Sequence, residues 1–383
     1  MGILRLLLAI SVVVFHRDPH ISLWFLVGGH FAVQLFFVIS GFYMALVLDE
    51  KYRGAHGIRA FYGNRLLRLL PTYYVALLLI VLVPWLAGLL LGRPIQIGQM
   101  NTWATYGAQL PDWLAAGLKA LHLSPLGQEL PSVGELDLTS HTAVSQAPPG
   151  HNTVDLLFFM LLPPAWSLSL ELQFYALAPW LTRRSTALLV GLFAAALSLH
   201  WLLPLLPFGN DEFWRNRNLL AQLGYFLLGM AGHRLYRLRT HEAWLGRLMQ
   251  RGRWFWAGSL ALLVAYPWLP LGVRDPLVTG GFALALPFVF AATSSWKWDR
   301  MVGELSYPLY LSHWLVNQGW YGLEPLVQRR IPAFRHDWLS VVVVVVISLA
   351  LAALIHWFVE RPVDRFRQRW ARRSLSATST PAI

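Results

Sequence analysis

The chain has 383 residues, of which 56% are apolar and only 13% are charged, and it contains no cysteine. A soluble domain carries about 25% charged residues because its surface faces water, so this composition excludes an ordinary soluble enzyme. The lack of cysteine excludes disulfides, thiolate metal ligands and a cysteine nucleophile. The 13 histidines show no spacing typical of a metal site, so we expect no metal.

Apolar segments recur along the chain, most of them near the ~20 residues that a helix needs to cross a bilayer. The first has no small-residue cleavage site and is closely followed by the second, so we interpret it as a spanning helix, not a signal peptide. We predict an all-α fold, a polytopic membrane helix bundle in which about ten transmembrane helices form one domain over residues 1–365. The ten segments cover roughly residues 4–15, 31–48, 71–91, 165–181, 187–206, 219–236, 254–271, 277–294, 305–321 and 339–359.

The net charge of +12 is informative about orientation. If the N-terminus is cytoplasmic, most of the 31 Lys and Arg residues fall on the cytoplasmic side, as is typical of membrane proteins. We therefore predict that both termini are cytoplasmic and that no nucleic acid is bound. Residues 366–383 are expected to form a cytoplasmic tail, basic and then rich in Ser and Thr. Residues 92–164 form a long polar extracytoplasmic loop, which we expect to be functional or disordered.

Ionisable residues inside membrane helices are costly and indicate functional sites. In the first helix, Arg5 and His16 are eleven residues apart, or ~16 Å along the axis. Histidine titrates near neutral pH and can take a proton from an attacking hydroxyl. The alternative is that Arg5 only anchors the topology and His16 caps the helix end in interfacial water.

Arg65 and Arg68 are three residues apart at the start of the third segment, so they share one helical face. Guanidinium groups bind phosphate oxygens through two parallel hydrogen bonds. The pair is therefore suited to a phosphorylated ligand from the cytoplasm. The alternative is simple anchoring of the helix by positive charge.

Glu171 lies some six residues into the fourth segment, at a depth comparable with that of His16. A buried carboxylate beside a histidine can orient its tautomer and stabilise its charged form. We therefore expect Glu171 to assist His16, although a packing role in an interhelical hydrogen bond is the alternative.

Ser306, Tyr310 and His313 follow one another at helical spacing, so they line one polar stripe. This stripe either forms a wall of the site or provides interhelical hydrogen bonds. Glu360 closes the last segment at the cytoplasmic face, where a basic residue such as Arg5 is a possible partner.

The order of these residues resembles that of the acyltransferase-3 family of membrane acyltransferases, which modify extracytoplasmic sugars. The resemblance extends from Leu4 to Pro362. One departure is Gln34, where family members usually carry an acidic residue, and this raises the importance of Glu171. The matching residues are Arg5 and His16, Phe36-Phe37-Val38-Ile39-Ser40-Gly41-Phe42, Arg65-Leu66-Leu67-Arg68 with Pro71, Trp166-Ser167-Leu168 with Glu171 and Phe174-Tyr175, Ser306-Tyr307 with Tyr310-Leu311 and His313, and Glu360-Arg361-Pro362.

The resemblance implies transfer of an acyl group, by default acetyl, from cytoplasmic acyl-CoA to a hydroxyl of an extracytoplasmic or lipid-linked glycan. It implies a multi-pass protein of the bacterial cytoplasmic (inner) membrane, surrounded by lipid. His16 and Glu171 are then expected to be catalytic, and Arg5, Arg65 and Arg68 to hold the donor. Supporting residues are expected to be Ser40, Trp166, Ser306, Tyr307, Tyr310, His313 and Glu360. The alternative function is that of a transporter or flippase of a polar or lipid-linked substrate.

Overall fold

The computed structural model describes residues 1–52, 54–92, 97–144, 151–205, 211–331 and 337–376. Most of these residues are helical, and three short strands lie between the sixth and seventh helices. The helices are α1 Gly2–Arg17, α2 Pro19–Ser22, α3 Gly29–Glu50, α4 Gly54–Leu91, α5 Gly98–Tyr106, α6 Asp112–Leu121, α7 Ala165–Thr182, α8 Thr186–Leu202, α9 Asp211–Asn216, α10 Leu219–Leu238, α11 Ala243–Met249, α12 Gly252–Ala265, α13 Leu271–Thr293, α14 Lys297–Glu304, α15 Ser306–Arg330, α16 Asp337–Ile355 and α17 Arg361–Ser376. The strands are β1 Glu135–Asp137, β2 Thr142–Val144 and β3 Thr153–Asp155.

Each of the ten predicted segments overlaps a different helix of the bundle, although residue 206 at the end of the fifth segment lies outside the described residues. Among the described helices, four are long and apolar enough to cross a membrane, and a shorter apolar helix covers Thr186–His200. The protein is thus a helical membrane protein. Crossing by all ten segments and the orientation of the termini stay predictions. The four long spans are Gly29–Glu50, Gly57–Leu90, Leu271–Thr293 and Asp337–Trp370.

Helix α1 lies in the middle of the bundle, where it packs against α3, α15 and α16. Its first backbone N–H groups would have no partner within the helix. The Asp299 carboxylate of α14 satisfies them, accepting hydrogen bonds from the N–H groups of Gly2 at 2.7 Å and Ile3 at 3.0 Å. This cap fixes the start of α1 and thereby the depth of every side chain along it.

Helices α3 and α10 approach each other unusually closely because glycines face each other's backbone. A Cβ atom on Gly41 would lie 2.0 Å from the Phe226 carbonyl oxygen, and one on Gly229 would lie 1.9 Å from the Val38 carbonyl oxygen. Small residues allow such contact in membrane bundles, where backbone packing replaces hydrophobic association. The contact fixes Ser40, on α3, within the core.

A buried ion pair joins the far end of α1 to α15. An Arg17 Nη atom donates a hydrogen bond to the Glu324 carboxylate, and the guanidinium lies 4.6 Å from the ring centre of Tyr321. Ser340 of α16 donates to the same carboxylate oxygen at 2.6 Å. Three helices therefore meet at this charge pair beside His16.

We expect the substitution Glu324→Gln to destabilise the protein strongly, because it leaves the Arg17 charge buried without a counter-ion. Loss of one partner of a buried pair costs about 3–5 kcal/mol, which should appear as a clear drop in the thermal unfolding midpoint in detergent. Glu242→Gln, at the exposed start of α11, is the matched control and should leave the midpoint unchanged. Equal midpoints for both variants would contradict this role of the ion pair.

One end of the bundle, which we call the basic end, carries the start of α1 together with α14, α17 and the carboxyl ends of α3, α7 and α10. At this end Arg237 pairs with Asp49 at 3.2 Å, and His356 lies 3.5 Å from Glu304. Which side of the membrane this end faces stays a prediction.

The described residues of the segment 92–164 lie at the opposite end and have their own structure. Here the prediction of a purely α-helical fold needs correction, because β1 pairs antiparallel with both β2 and β3 in the order β2-β1-β3. Strands of three residues are too short to show an alternating sequence pattern. A hydrogen bond from the His151 ring lowers the pKa of the Asp137 carboxyl below its usual value.

Part of this segment reaches down between the helices. The Tyr73 hydroxyl of α4 donates to the His122 carbonyl oxygen at 3.0 Å, and the Gly127 N–H donates to Ser169 of α7 at 2.8 Å. Gln173 donates to Glu129 at 2.6 Å. The stretch after α6 therefore packs against α4 and α7 and forms part of the wall at this end of the bundle.

Two helices extend further than the apolar pattern indicated. Helix α4 begins at Gly54, well before its apolar part, and α17 continues through the basic part of the predicted tail to Ser376. These two polar stretches pack against each other, with Arg367 donating to Asn64 at 3.1 Å. Residues 377–383 of the predicted tail lie outside the described residues.

Candidate active site

His16 lies in the last turn of α1 and contacts α15. Its Nδ1 atom is 3.0 Å from the Val12 carbonyl oxygen and 3.2 Å from Nε2 of His313. The two imidazole ring centres are 5.1 Å apart, and the ring of Trp314 stands perpendicular to His16 at 5.4 Å. Asn317 holds the same turn by donating to the His16 carbonyl oxygen at 2.7 Å.

The hydrogen-bond partners determine which ring nitrogen of each histidine carries the proton. Nδ1 of His313 lies 2.7 Å from the Tyr310 carbonyl oxygen, which can only accept, so Nδ1 carries the proton. Nε2 of His313 is then an acceptor, and Nδ1–H of His16 is shared between it and the Val12 carbonyl. The remaining ring nitrogen, Nε2 of His16, therefore carries the lone pair, as a general base or nucleophile requires.

We expect His313→Leu to lower kcat by on the order of 10- to 100-fold without changing KM for the donor. His313 positions His16 and accepts from its Nδ1–H, and a hydrogen bond to a charged group contributes about 1.5–3 kcal/mol. His313→Gln keeps an acceptor oxygen and should recover part of the lost kcat. If the Leu and Gln variants were equally impaired, or if KM changed in place of kcat, His313 would not act through His16.

Glu171 does not contact His16, which corrects the predicted pairing of the two. The Ser40 hydroxyl donates to Glu171 Oε1 at 2.9 Å, and the Tyr175 hydroxyl, one turn further along α7, donates to the same oxygen. Glu171 thus lies deeper toward the basic end, and it is His313 that takes the position beside the histidine.

The three predicted donor-binding arginines lie together on α1 and α4 with Glu171. Arg5, Arg65 and Arg68 are close enough for their charges to interact, and Arg65 also lies 6.0 Å from the ring centre of Tyr175. Within the described part of the chain, none of the three has an ion pair or a hydrogen bond, and the buried Nε atom of Arg65 is unsatisfied. We call these three residues the arginine cluster; it is suited to binding an anion.

Glu360 borders the arginine cluster but does not pair with Arg5 as anticipated. Its carboxylate accepts from Thr72 at 3.1 Å and lies 3.0 Å from Nδ1 of His356. The same small cleft is lined by Arg68 and Glu304. Glu360 therefore connects the stretch between α16 and α17 to α4 at the mouth of the site.

The predicted polar stripe of α15 divides into a structural part and a site part. Ser306 is buried and donates to the Gly303 carbonyl at 2.7 Å, and Tyr307 donates to the Leu69 carbonyl of α4 at 2.8 Å. Tyr310 donates to the Pro164 carbonyl and lies 2.7 Å from the Ser167 hydroxyl. Only His313 of the stripe reaches His16. Ser306 and Tyr310, together with the neighbouring Tyr307, instead form hydrogen bonds that hold α15 in the bundle.

Trp166 and Arg217 lie beside each other on the side of the site away from the basic end. The Arg217 guanidinium lies 5.6 Å from the ring centre of Trp166. Arg217 was missed in the sequence because it precedes α10, outside any apolar segment. Asn317 and Tyr175 were missed too, although each is four residues from a predicted site residue on the same helix.

A comparison with known families identifies one that matches most of the chain. A family model described as an acyltransferase domain, that of acyltransferase-3, matches residues 1–357. No curated protein and no solved structure matches the chain. The matched range includes every residue of the site described above except Glu360.

Proposed function

The chain belongs to the acyltransferase-3 family, and from this membership we propose that it transfers an acyl group from cytoplasmic acyl-CoA to a hydroxyl of an extracytoplasmic sugar. Acetyl is the proposed acyl group, and a lipid-linked or growing glycan the proposed acceptor. The basic end of the bundle then faces the cytoplasm of a bacterium, and the segment of residues 92–164 faces outward. Family membership favours this activity over transport.

The observation that carries the proposal is the placement of two different groups on one helix. Arg5 belongs to the arginine cluster, whose members form no ion pair or hydrogen bond with the other described residues, and His16 follows it by ~16 Å along α1. Phosphates of a donor bound at the cluster would leave its acyl thioester free to extend along α1. His16 then meets the thioester from one side and the acceptor from the other.

In the proposed reaction His16 acts as the general base. Nε2 of His16 takes the proton of the acceptor hydroxyl, and the oxygen attacks the thioester carbonyl. The carbon–sulfur bond breaks, and the thiolate of CoA takes the proton back from Nε2. The imidazolium that forms in between is stabilised by the Nδ1–H bonds to His313 and to the Val12 carbonyl.

A second route uses the same atoms in two steps. Nε2 of His16 attacks the thioester carbonyl, the carbon–sulfur bond breaks and CoA leaves as the thiolate. The acceptor hydroxyl then attacks the acyl-histidine, the bond from carbon to Nε2 breaks, and the hydroxyl proton passes to Nε2 and finally to the thiolate. Rapid denaturation at neutral pH of protein loaded with radiolabelled donor without acceptor distinguishes the routes, because only the second leaves label on the chain.

Sided membrane vesicles test the proposal as a whole. Radiolabelled acetyl-CoA is added to the face that carries the basic end, and the label is followed into glycan on the other face. We expect label in the glycan of vesicles that contain the wild-type protein and none with His16→Ala. Transfer only when donor and acceptor share one face would refute the proposed orientation.

A further inference from the structure

A second basic region, separate from the arginine cluster, lies at the basic end of the bundle. It is a cleft of about 780 Å³ between the carboxyl ends of α3, α7 and α10 and the start of α8. This volume lies within the range of small-molecule sites, about 300–1,000 Å³. We call it the basic cleft and define it by the lining residues Arg183, Arg184, Thr186, His233, Arg234 and Arg237.

The charges in the basic cleft do not balance. Four arginines line it, and Asp49 is the one carboxylate among the lining residues. Asp49 pairs with Arg237 at 3.2 Å. In the structure as described, Arg183 and Arg184 have no carboxylate within ion-pair distance, so the cleft keeps a positive surplus.

Several groups in the basic cleft are held in place before any ligand arrives. Arg234 donates to the Thr186 hydroxyl at 2.5 Å and to the Arg184 carbonyl, which bridges α10 to the start of α8. Helix α8 begins at the cleft wall, where the N-terminal end of a helix attracts anions. This bridge fixes the Arg234 guanidinium relative to the helix end.

A buried histidine supplies a second, independent indication of a ligand. His233 is 3% exposed and lines the cleft, and its Nε2 atom has no hydrogen-bond partner among the described residues. Oδ2 of Asp49 is 3.9 Å from this Nε2 atom, beyond hydrogen-bonding distance. A buried polar atom without a partner is unfavourable unless something else satisfies it.

The basic cleft is distinct from the arginine cluster. Tyr52 lines the cleft and packs edge-on against Phe61 at 5.8 Å, and Arg65 lies on the other side, 5.7 Å from the Phe61 ring centre. A layer of aromatic rings therefore separates the two groups of arginines. Each can be removed by substitution without changing the other.

From these observations we propose that the basic cleft is a second anion site that binds a ligand through its phosphate groups. Guanidinium groups and a helix N-terminus are the groups by which proteins recognise phosphate. The phosphate can come from a soluble nucleotide or from the headgroup of an anionic lipid at the same membrane face. The site needs no acyl group, so the inference does not depend on the proposed transfer reaction.

Two probes distinguish the sources of phosphate, each applied to the full chain in nanodiscs. The soluble probe is 3′,5′-ADP, titrated in phosphatidylcholine nanodiscs. The lipid probe is phosphatidylglycerol, whose effect is the rise in the unfolding midpoint over pure phosphatidylcholine. We expect the double variant Arg183→Gln/Arg184→Gln to weaken nucleotide binding at least about tenfold or to abolish the lipid effect. The reason is that each substitution removes a charge-assisted contact with phosphate.

The matched control is Arg247→Gln combined with Arg251→Gln, which removes the same charge at exposed positions outside the cleft. It should leave both readouts unchanged. His233→Phe keeps the ring volume, removes Nε2 and should weaken the same probe as the arginine variant. The proposal is overturned if neither probe binds, if cleft and control variants behave alike, or if nucleotide binding is lost only in Arg65→Gln/Arg68→Gln, which would assign the phosphates to the arginine cluster.

Discussion

Replacing His16 with alanine is expected to lower kcat for acyl transfer by about 10²–10⁴-fold, the usual contribution of a general base. The loss should be catalytic, because the substitution removes Nε2 and leaves the Arg17–Glu324 pair that joins α1 to α15. The measurement is CoA release from acetyl-CoA by purified protein, with the thermal unfolding midpoint taken on the same sample.

His20→Ala is the matched control, because His20 is exposed on α2, four residues beyond His16. It should retain wild-type kcat. Full activity of a folded His16→Ala protein would rule out His16 as base and as nucleophile, and would leave the arrangement with His313 without a catalytic role.

Removing the charge of the arginine cluster is expected to raise KM for the acyl donor. Each charge-assisted hydrogen bond to phosphate contributes about 1.5–3 kcal/mol, so Arg68→Gln should raise KM by about 10-fold or more and Arg65→Gln/Arg68→Gln by more still. The value of kcat at saturating donor should change much less, because neither arginine contacts His16. Initial rates at varied acetyl-CoA give both constants.

Arg59→Gln provides the control for this series, since Arg59 lies on the same helix α4 but is exposed. Its KM should equal that of the wild type. A lower kcat at unchanged KM in the Arg65 and Arg68 variants would contradict donor binding by the cluster and would indicate a role in chemistry or folding.

The ten predicted segments could be placed on helices from the sequence because each contains a continuous run of apolar residues. The limits of that signal are visible at α4, whose first turns carry Asn64 and three arginines and yet are helical. Those turns are stabilised by contact with α17, as in the hydrogen bond from Arg367 to Asn64. Contacts between distant segments are not encoded in local apolarity.

The residues of the site were mostly predicted, but their pairing was not. Membership of the acyltransferase-3 family was confirmed by the match over residues 1–357, whereas the roles of His16, Glu171 and the arginines stay predictions. Glu171 was the expected partner of His16 because counting along the segments placed the two at a comparable depth. In the structure Glu171 lies deeper toward the basic end, and the face of α7 that carries it points to Ser40 of α3. Residue counts give neither the exact depth of a side chain nor the rotation of a helix about its axis.

The small sheet and Arg217 illustrate a different limit. Three-residue strands and a charged residue in a connection carry no periodic signal. The stretch after α6, which contacts α4 and α7 through Tyr73 and Ser169, likewise has no apolar period that would predict its place. The positions of these parts depend on tertiary contacts, which the local sequence pattern does not show.

The most direct test of the central claim is acyl-CoA consumption by the purified wild-type protein in liposomes, measured with radiolabelled acetyl-CoA. We predict that the protein binds acetyl-CoA and releases CoA, even as slow hydrolysis without an acceptor, and that His16→Ala does not release it. A folded wild-type protein that neither binds nor consumes acyl-CoA would contradict the account.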